Sequence, residues 1–200
     1  MTNFVLFLLV LIVSPVLAAG EAQWTPALNE DGIQIYARPV TDSPFAAVKG
    51  VLTIGAPLER VVAKLGNDDE CAEWRKTCKS TRVLQQVSEN ERIVYMIIDL
   101  PWPLTDRDAV SRITGERSSQ TGSLKLHIKS EPDRQPNKKY VRAISNGSFE
   151  LIPIGANETR FIFTMHSDMG GDLPADRINT RMPESTLEDL RYLRKLAEGS

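Results

Sequence analysis

The stretch Asp99-Leu-Pro-Trp-Pro-Leu-Thr-Asp-Arg-Asp108 separates two segments with strand character. Its two prolines lack backbone N–H donors, so this stretch leads the chain out of one strand and into the next. From the residues alone it is either a stiff loop or the rim of a cavity. In the loop, Trp102 would pack against a helix and Arg107 would pair with Asp106 or Asp108. At a rim, the indole of Trp102 would offer a large apolar area and an N–H donor.

On both sides of this loop, most of the chain has the alternating or β-branched pattern of strands, bounded by Gly, Pro, Asn and Ser. No repeat or linker interrupts residues 21–200. The order predicts one α+β domain with an antiparallel sheet of about nine strands. The predicted strands span residues 32–36, 46–54, 80–87, 91–100, 109–115, 123–130, 140–145, 148–153 and 159–168.

Three segments have helical character. Apolar residues at helical spacing behind Pro57 predict a short helix over 57–65, and a second short helix or loop falls in 67–79. Residues 173–198 form a long amphipathic pattern, which Pro183 would kink or split. Two short helices after the second strand and a long helix at the end favour a sheet curled around that last helix.

The first 20 residues contain no charged side chain. An apolar run over Phe4–Val13 precedes small residues around Ala18, which is the pattern of a signal peptide cleaved after Ala18. The run is shorter than the roughly 20 apolar residues of a membrane-spanning helix. We expect residues 1–20 to be a signal peptide and residues 21–200 to be the exported domain. An uncleaved membrane anchor and a buried N-terminal strand remain alternatives.

Export bears on the state of the two cysteines, Cys71 and Cys78. Thiols in an oxidising compartment tend to pair, whereas those of cytosolic proteins are usually reduced. On an uninterrupted helix this spacing separates the Cα atoms by about 10.5 Å, beyond the roughly 7 Å that a disulfide spans. A disulfide therefore requires a bend between the two residues, and two reduced thiols are the alternative.

The sequence contains no recognisable catalytic or metal-binding motif. Nucleophile elbow, phosphate-binding loop, HExxH and dinucleotide patterns are absent, and neither cysteine has a signature for a neighbouring base. His127 and His166 lie in phase with polar residues, so we expect them to face solvent and not to bind zinc. A net charge of −2 argues against electrostatic binding of nucleic acid. We expect no catalytic residue, metal, cofactor or nucleic-acid partner.

The chain resembles the StAR-related lipid-transfer (START) family, whose bacterial members carry a similar Pro-Trp-Pro-Leu segment. The resemblance covers nearly all of the exported domain. It implies the helix-grip fold, in which an antiparallel sheet curves around a C-terminal helix and encloses an apolar tunnel. The matching segments are Gly32-Ile-Gln-Ile-Tyr36 with Arg38-Pro39, the helix at Pro57, Glu73-Trp74, Pro101-Trp-Pro-Leu104 with Arg107-Asp108-Ala-Val110, Tyr140-Val-Arg142, and Gly170-Gly-Asp-Leu-Pro174 with its helix.

The resemblance also implies which residues meet a ligand. Sterol-binding members can place a charged pair in the tunnel, but an ungapped match puts Ile113 and the region of Val94 at those positions, so a sterol is not supported. The same residues would line an ordinary filled core. We expect ligand contacts from Val94, Met96, Ile98, Trp102, Ala109, Ser111, Ile113, Phe161, Phe163, Met165, Ile178 and Met182.

The function implied by the resemblance is binding or transfer of one lipid or other hydrophobic small molecule, without catalysis. We expect an exported monomer that contacts membranes transiently, and the bacterial resemblance favours the periplasm. One alternative is a helix-grip enzyme of the polyketide cyclase type, which would need a titratable group in the tunnel. Another is a lipid-responsive sensor that binds a second envelope protein.

Overall fold

The computed structural model describes residues 23–66, 71–135 and 139–199. The predicted signal peptide therefore lies outside the described residues. The helices are α1 (Leu58–Gly66), α2 (Cys71–Trp74) and α3 (Ala175–Glu198). The strands are β1 (Thr25–Glu30), β2 (Ile33–Val40), β3 (Ser43–Ile54), β4 (Cys78–Ser88), β5 (Glu91–Ile98), β6 (Arg107–Arg117), β7 (Leu124–Ser130), β8 (Val141–Arg142), β9 (Ile144–Gly155) and β10 (Glu158–Asp168).

The strands form a ten-stranded sheet in the order β1-β2-β3-β10-β9-β7-β6-β5-β4, with the short β8 paired to β6 in parallel. The other pairs are antiparallel, and α3 follows the last strand, so the predicted helix-grip architecture is confirmed. The sequence did not predict β1, an exposed edge strand that contains Pro26 and lacks alternation. Because β1 precedes the two strands that were predicted there, the two short helices follow the third strand and not the second.

Strand β9 crosses a cluster of residues that has the composition of a turn. The sequence predicted separate strands over 140–145 and 148–153, whereas β9 runs unbroken through Gly147. A Cβ at Gly147 would collide with the carbonyl oxygen of Thr164 and lie 3.0 Å from the Cα of Met165 on β10. This glycine therefore permits a close backbone approach inside the sheet rather than a turn.

The C-terminal helix packs mainly on β2 and β3. It continues through Pro183 as one long helix, so of the kink and the split expected at this proline, the split does not occur. The Asn179 side chain accepts a hydrogen bond from Ala46 N at 2.9 Å and donates one to Pro44 O at 2.9 Å, which ties the first turns of α3 to β3. Farther along the helix, Leu190 lies so close to Gly50 of β3 that a Cβ on this glycine would collide with it. The glycine therefore allows α3 to pack closely on β3.

The largest apolar cluster fills the space between α3 and strands β2, β3 and β10. It includes Ile35, Leu52, Phe161 and Leu190, each almost completely buried. Full burial of such side chains contributes about 1.5–3 kcal/mol each. Phe149 of β9 packs edge-on against Phe161, with ring centroids 5.7 Å apart. This packing fills one side of the enclosed space and leaves cavities along the rest of the inner face of the sheet.

Candidate ligand-binding cavity

Three adjoining cavities lie on the inner face of the sheet, and the central one has a volume of about 120 Å³. Most of its walls are apolar or small side chains from β5, β6, β9 and β10, and the loop around α2 closes one side. The lining residues are Leu65, Cys71, Trp74, Arg75, Thr77, Thr81, Arg92, Val94, Met96, Ile98, Ala109, Ser111, Ile113, Ile128, Ser145, Phe149, Met165, Ser167 and Met169.

Most of the residues predicted from the strands meet in this central cavity. Strands β5 and β6 are paired so that Val94 lies opposite Ser111 and Met96 opposite Ala109. Alternate residues of a strand share a face, so these side chains project to the same side of the sheet. The predicted residues that line the central cavity are Val94, Met96, Ile98, Ala109, Ser111, Ile113 and Met165.

A second cavity, the helix-side cavity, lies against the first half of α3 and has a volume of about 210 Å³. Phe163, Ile178 and Met182, all predicted as ligand contacts, line it. Met165 belongs to the walls of both the helix-side and the central cavity. The residues predicted from strands and helix thus divide between two adjoining spaces.

A third cavity, the hairpin-side cavity, opens near the β4–β5 hairpin and has a volume of about 380 Å³. It shares Ile113, Ile128 and Phe149 with the central cavity, and Glu89 and Glu91 lie in its wall. The hairpin-side cavity was not predicted from the sequence. Its walls combine α1, a hairpin and three further strands, which are far apart in the chain, so no local pattern marks it.

Two predicted contacts lie elsewhere. Phe161 is fully buried in the main apolar cluster. Trp102 is 92% exposed, and neither residue is among the described residues that line the three cavities. Leu100, two positions before Trp102, does line the helix-side cavity. The proline-rich loop therefore begins at the cavity wall, while its tryptophan points to solvent.

Arg107 binds backbone rather than a carboxylate. It is 4% exposed and donates hydrogen bonds to the carbonyl oxygens of Thr105, Met169 at 3.0 Å and Gly170 at 3.0 Å. The expected pairing of Arg107 with Asp106 or Asp108 is therefore wrong. Burial lowers the pKa of Arg107. These three hydrogen bonds connect the proline-rich loop to the segment that leads into α3.

The neighbouring acidic residues have other partners. Asp108 is fully buried and accepts two hydrogen bonds of 2.9 Å from the guanidinium of Arg142. Asp106 accepts a 2.8 Å bond from Lys79, which holds the pKa of that carboxyl below its usual value. These contacts fasten the loop to β4 and β8, and their role is structural.

A disulfide joins Cys71 and Cys78, whose Cα atoms are 5.9 Å apart, so the predicted disulfide is confirmed. The chain bends as the spacing required, because α2 ends at Trp74 and the N–H of Cys78 bonds to the carbonyl of Arg75 at 2.8 Å. Cys71, Trp74, Arg75 and Thr77 all line the central cavity. The disulfide therefore closes the loop that covers this cavity.

Beyond Ser111, the polar residues that line the central cavity were not predicted from the sequence. Ser145 and Ser167 share a 2.9 Å hydrogen bond across β9 and β10. Ser167 continues the alternation of Phe163 and Met165, so strand periodicity contained this signal. Arg75 lies in residues 67–79, for which the sequence left a short helix and a loop as alternatives. Its place in the cavity wall depends on the tertiary fold.

Both histidines lie away from these cavities. His127 is partly exposed, with its Nε2 3.6 Å from Glu116, and the Nε2 of His166 lies 3.0 Å from Ser43 Oγ. Within residues 23–66, 71–135 and 139–199, no cluster of three or more His, Cys, Asp or Glu side chains is arranged to hold a metal ion.

Similar proteins from bacteria cover almost the whole chain. An uncharacterized protein of Pseudomonas aeruginosa is 29% identical over 185 residues, which are 90% of this chain and 91% of that protein. The crystal structure of a STAR-related lipid transfer protein from Xanthomonas axonopodis superposes with a TM-score of 0.79 at 27% identity. It covers 87% of this chain and 98% of the other.

More distant proteins share the fold. Human StAR-related lipid transfer protein 5 has a TM-score of 0.79 at 17% identity, covering 88% of this chain and 86% of that structure. The ZhuI aromatase/cyclase of Streptomyces has a TM-score of 0.51 at 14% identity, covering 76% and 93%. Identities this low show the fold alone. The family model for the START domain matches residues 16–198, and the chain belongs to the START domain family.

Proposed function

We propose that this protein is an exported, non-catalytic carrier that binds one lipid or other hydrophobic small molecule in the central cavity. The observation that carries the proposal is the inner face of β5 and β6, where alternate apolar and small side chains face an enclosed space. Apolar ligand surface buried there would gain about 25 cal/mol per Å². The lipid transfer proteins among the structural relatives support the same function.

The ionisable lining of the central cavity supports a carrier over an enzyme. Among the described residues, Arg75 and Arg92 are the charged side chains in its wall, and Cys71 is held in the disulfide. A guanidinium stays protonated in proteins and cannot serve as a general base. Acyl or aldol chemistry on a chain bound in the central cavity would need a general base beside the ligand, whereas the carboxylate of Asp189 lines the helix-side cavity and not the central one.

Export is supported by two independent features. Residues 1–20 have the pattern of a signal peptide, and the Cys71–Cys78 disulfide suits an oxidising compartment. The relatives from Pseudomonas and Xanthomonas favour the periplasm as that compartment. In the described part of the chain, no helix has the length and apolar character needed to cross a bilayer.

Transient membrane contact is the second part of the proposal. Trp102 lies 92% exposed between two prolines, and Leu104 is 37% exposed in the same loop. Tryptophan is favoured at the boundary between lipid and water because its ring is apolar and its N–H is polar. Contact through this loop would bring a bilayer next to Leu100 in the wall of the helix-side cavity. One copy of the chain suffices for this arrangement, so we propose a monomer.

The test is native mass spectrometry of the protein expressed with its N-terminal segment, followed by extraction and identification of bound molecules. We expect one hydrophobic ligand per chain, and saturable rebinding after the ligand is removed. The mass would also report cleavage after Ala18. A protein that is empty and binds no fatty acid, phospholipid or sterol would contradict the carrier function.

A substitution that fills the cavity sharpens this test. In Ser111→Phe, the aromatic ring would occupy the central cavity and exclude ligand. The matched control is Thr53→Phe, which places the same ring at an exposed position on β3. We expect Ser111→Phe to fold and lose the bound molecule while the control retains it. Equal ligand content in both variants would place the ligand outside the central cavity.

A further inference from the structure

The chemistry of the ligand is indicated by an arginine between two of the cavities. Arg75 follows α2 inside the loop closed by the disulfide, and its half-buried side chain lines both the central and the helix-side cavity. No hydrogen-bond acceptor or close ion-pair partner for its guanidinium lies among residues 23–66, 71–135 and 139–199. A partly desolvated cation in this position favours an anionic partner.

Hydroxyl groups line the same cavities as Arg75. Thr77 and Ser167 also line both cavities, and Ser145 donates to or accepts from Ser167 at 2.9 Å. Hydroxyls can donate to the oxygens of a carboxylate or phosphate, and a guanidinium can do so through two parallel N–H groups. Arg75 and these hydroxyls therefore form the polar end of a cavity whose remaining wall is mostly apolar.

The distribution of carboxylates supports an anionic ligand. No Asp or Glu is among the described residues that line the central cavity. Asp189 lies in the wall of the helix-side cavity, where its carboxylate accepts a 3.1 Å hydrogen bond from the backbone N–H of Lys76. Burial raises the pKa of Asp189, and Arg75 acts against that rise without forming a close ion pair. Arg75 thus keeps its donors available to a ligand.

The opposite end of the central cavity suits a hydrocarbon tail. Ile113, Ile128 and Phe149 form the wall shared with the hairpin-side cavity. A chain extending from Arg75 would pass Met96 and Val94 before reaching these residues. Arg92 also lies at this end, but its side chain donates to the carbonyl oxygen of Gly66 at 3.4 Å and has a further interaction within the protein. The end at Arg75 therefore offers an available cation, whereas the opposite end offers apolar side chains and an arginine that is already engaged.

We infer that the ligand is an amphiphile with a single anionic head group, a carboxylate or a phosphate ester, and that Arg75 binds this group. The inference rests on the proposed carrier function and specifies its ligand class. The tail lies in the central cavity, with its far end toward the hairpin-side cavity. A neutral molecule with the same tail would bury the same apolar area but would leave Arg75 without an anionic partner.

The experiment compares oleic acid, oleoyl lysophosphatidic acid and oleyl alcohol, which share a tail and differ in head group. Binding to the delipidated protein is measured by equilibrium dialysis at about pH 8, where both acids are ionised. We expect at least one anion to bind roughly ten- to a hundredfold more tightly than the alcohol, the usual effect of charge-assisted hydrogen bonds. Tighter binding of oleic acid identifies a fatty acid, and tighter binding of the phosphate identifies a lysophospholipid.

Substitutions assign this preference to Arg75. Arg75→Gln is expected to abolish the preference for the anion and leave oleyl alcohol binding unchanged, while Arg75→Lys retains part of it. Arg160→Gln is the matched control, because Arg160 is exposed on β10 and outside the cavity walls. Thermal unfolding of each variant confirms that it is folded.

Each result separates the inference from the proposed function. If the wild-type protein binds oleyl alcohol as tightly as both anions, the anionic head group is refuted and the carrier function stands. If Arg75→Gln keeps the full preference, the assignment to Arg75 is refuted. If the protein binds none of the three molecules, a single-chain anionic ligand is refuted, and the native mass spectrum with its wider set of lipids decides the carrier function.

Discussion

The substitution Arg142→Met would remove the cationic partner of a completely buried carboxylate. Arg142 donates two 2.9 Å hydrogen bonds to Asp108, which has no exposed surface. Its guanidinium also donates to the carbonyl oxygen of Pro132 at 2.6 Å, and to two further carbonyls in the same loop. Methionine would fill a similar volume but could satisfy none of these acceptors.

The expected loss follows from the burial of this pair. Removing one partner of a buried ion pair typically costs 3–5 kcal/mol, because an uncompensated charge is left behind. Tyr95 also hydrogen-bonds to Asp108, and burial together with that carboxylate raises the pKa of Tyr95. Tyr95 would therefore retain part of the stabilisation. We expect a loss of about 3 kcal/mol in the free energy of unfolding, toward the lower end of this range.

Urea denaturation measures this loss. At a slope of about 2 kcal/mol per molar urea, a loss of about 3 kcal/mol lowers the midpoint by about 1.5 M. Arg160→Met, at an exposed position, should change stability by less than about 0.5 kcal/mol. In an Asp108→Asn background, Arg142→Met should cost clearly less, since no buried carboxylate remains. If Arg142→Met lies within about 1 kcal/mol of the wild type, the buried pair does not stabilise the fold as argued.

Three further perturbations test the cavity, the sheet and the loop. Burial raises the pKa of Asp189 in the folded protein above its value of 3.8 in the unfolded chain. The free energy of unfolding therefore falls as the pH rises from below 3.8 through the raised pKa, because the folded protein must then bury a charged carboxylate. Asp189→Asn, which stays neutral, should be more stable than the wild type near neutral pH. Gly147→Ala should lower the free energy of unfolding by about 3 kcal/mol in thermal denaturation, because its Cβ would collide with the Thr164 carbonyl. Trp102→Ala should leave stability within about 0.5 kcal/mol and reduce sedimentation with phospholipid vesicles several-fold.

Each of these predictions has a comparison that could contradict it. The higher free energy of unfolding of Asp189→Asn should disappear at about pH 3, where the wild-type carboxyl is also neutral. If the variant exceeds the wild type by the same amount at every pH, the gain does not come from the charge of Asp189. Gly155→Ala is the control on the same strand, because a Cβ there meets its nearest neighbour at 3.9 Å. A similar loss in both glycine variants would argue against the collision. Unchanged vesicle binding by Trp102→Ala would rule out membrane contact through this indole.

The sequence alone determined the order of most elements and the face on which side chains lie. Alternation in β5 put Val94, Met96 and Ile98 on one side of the sheet, because strand geometry is local and has a period of two. The spacing behind Pro57 predicted α1 to within a residue at each end. Composition indicated a break at Gly147, which does not occur, and either a kink or a break at Pro183, of which the break does not occur. In β9, the small residue accommodates a neighbouring backbone, and α3 continues through its proline.

Only the tertiary structure decided which inward residues fill the core and which line a cavity. Phe161 and Met165 share one face of β10, yet Phe161 is sealed in the main cluster whereas Met165 borders two cavities. Their alternation is identical, so the difference depends on where α3 and the disulfide-closed loop pass over the sheet. The same distant packing brings Arg75 to the cavity wall. Periodicity determines the direction of a side chain, while the empty space it meets depends on elements far away in the sequence.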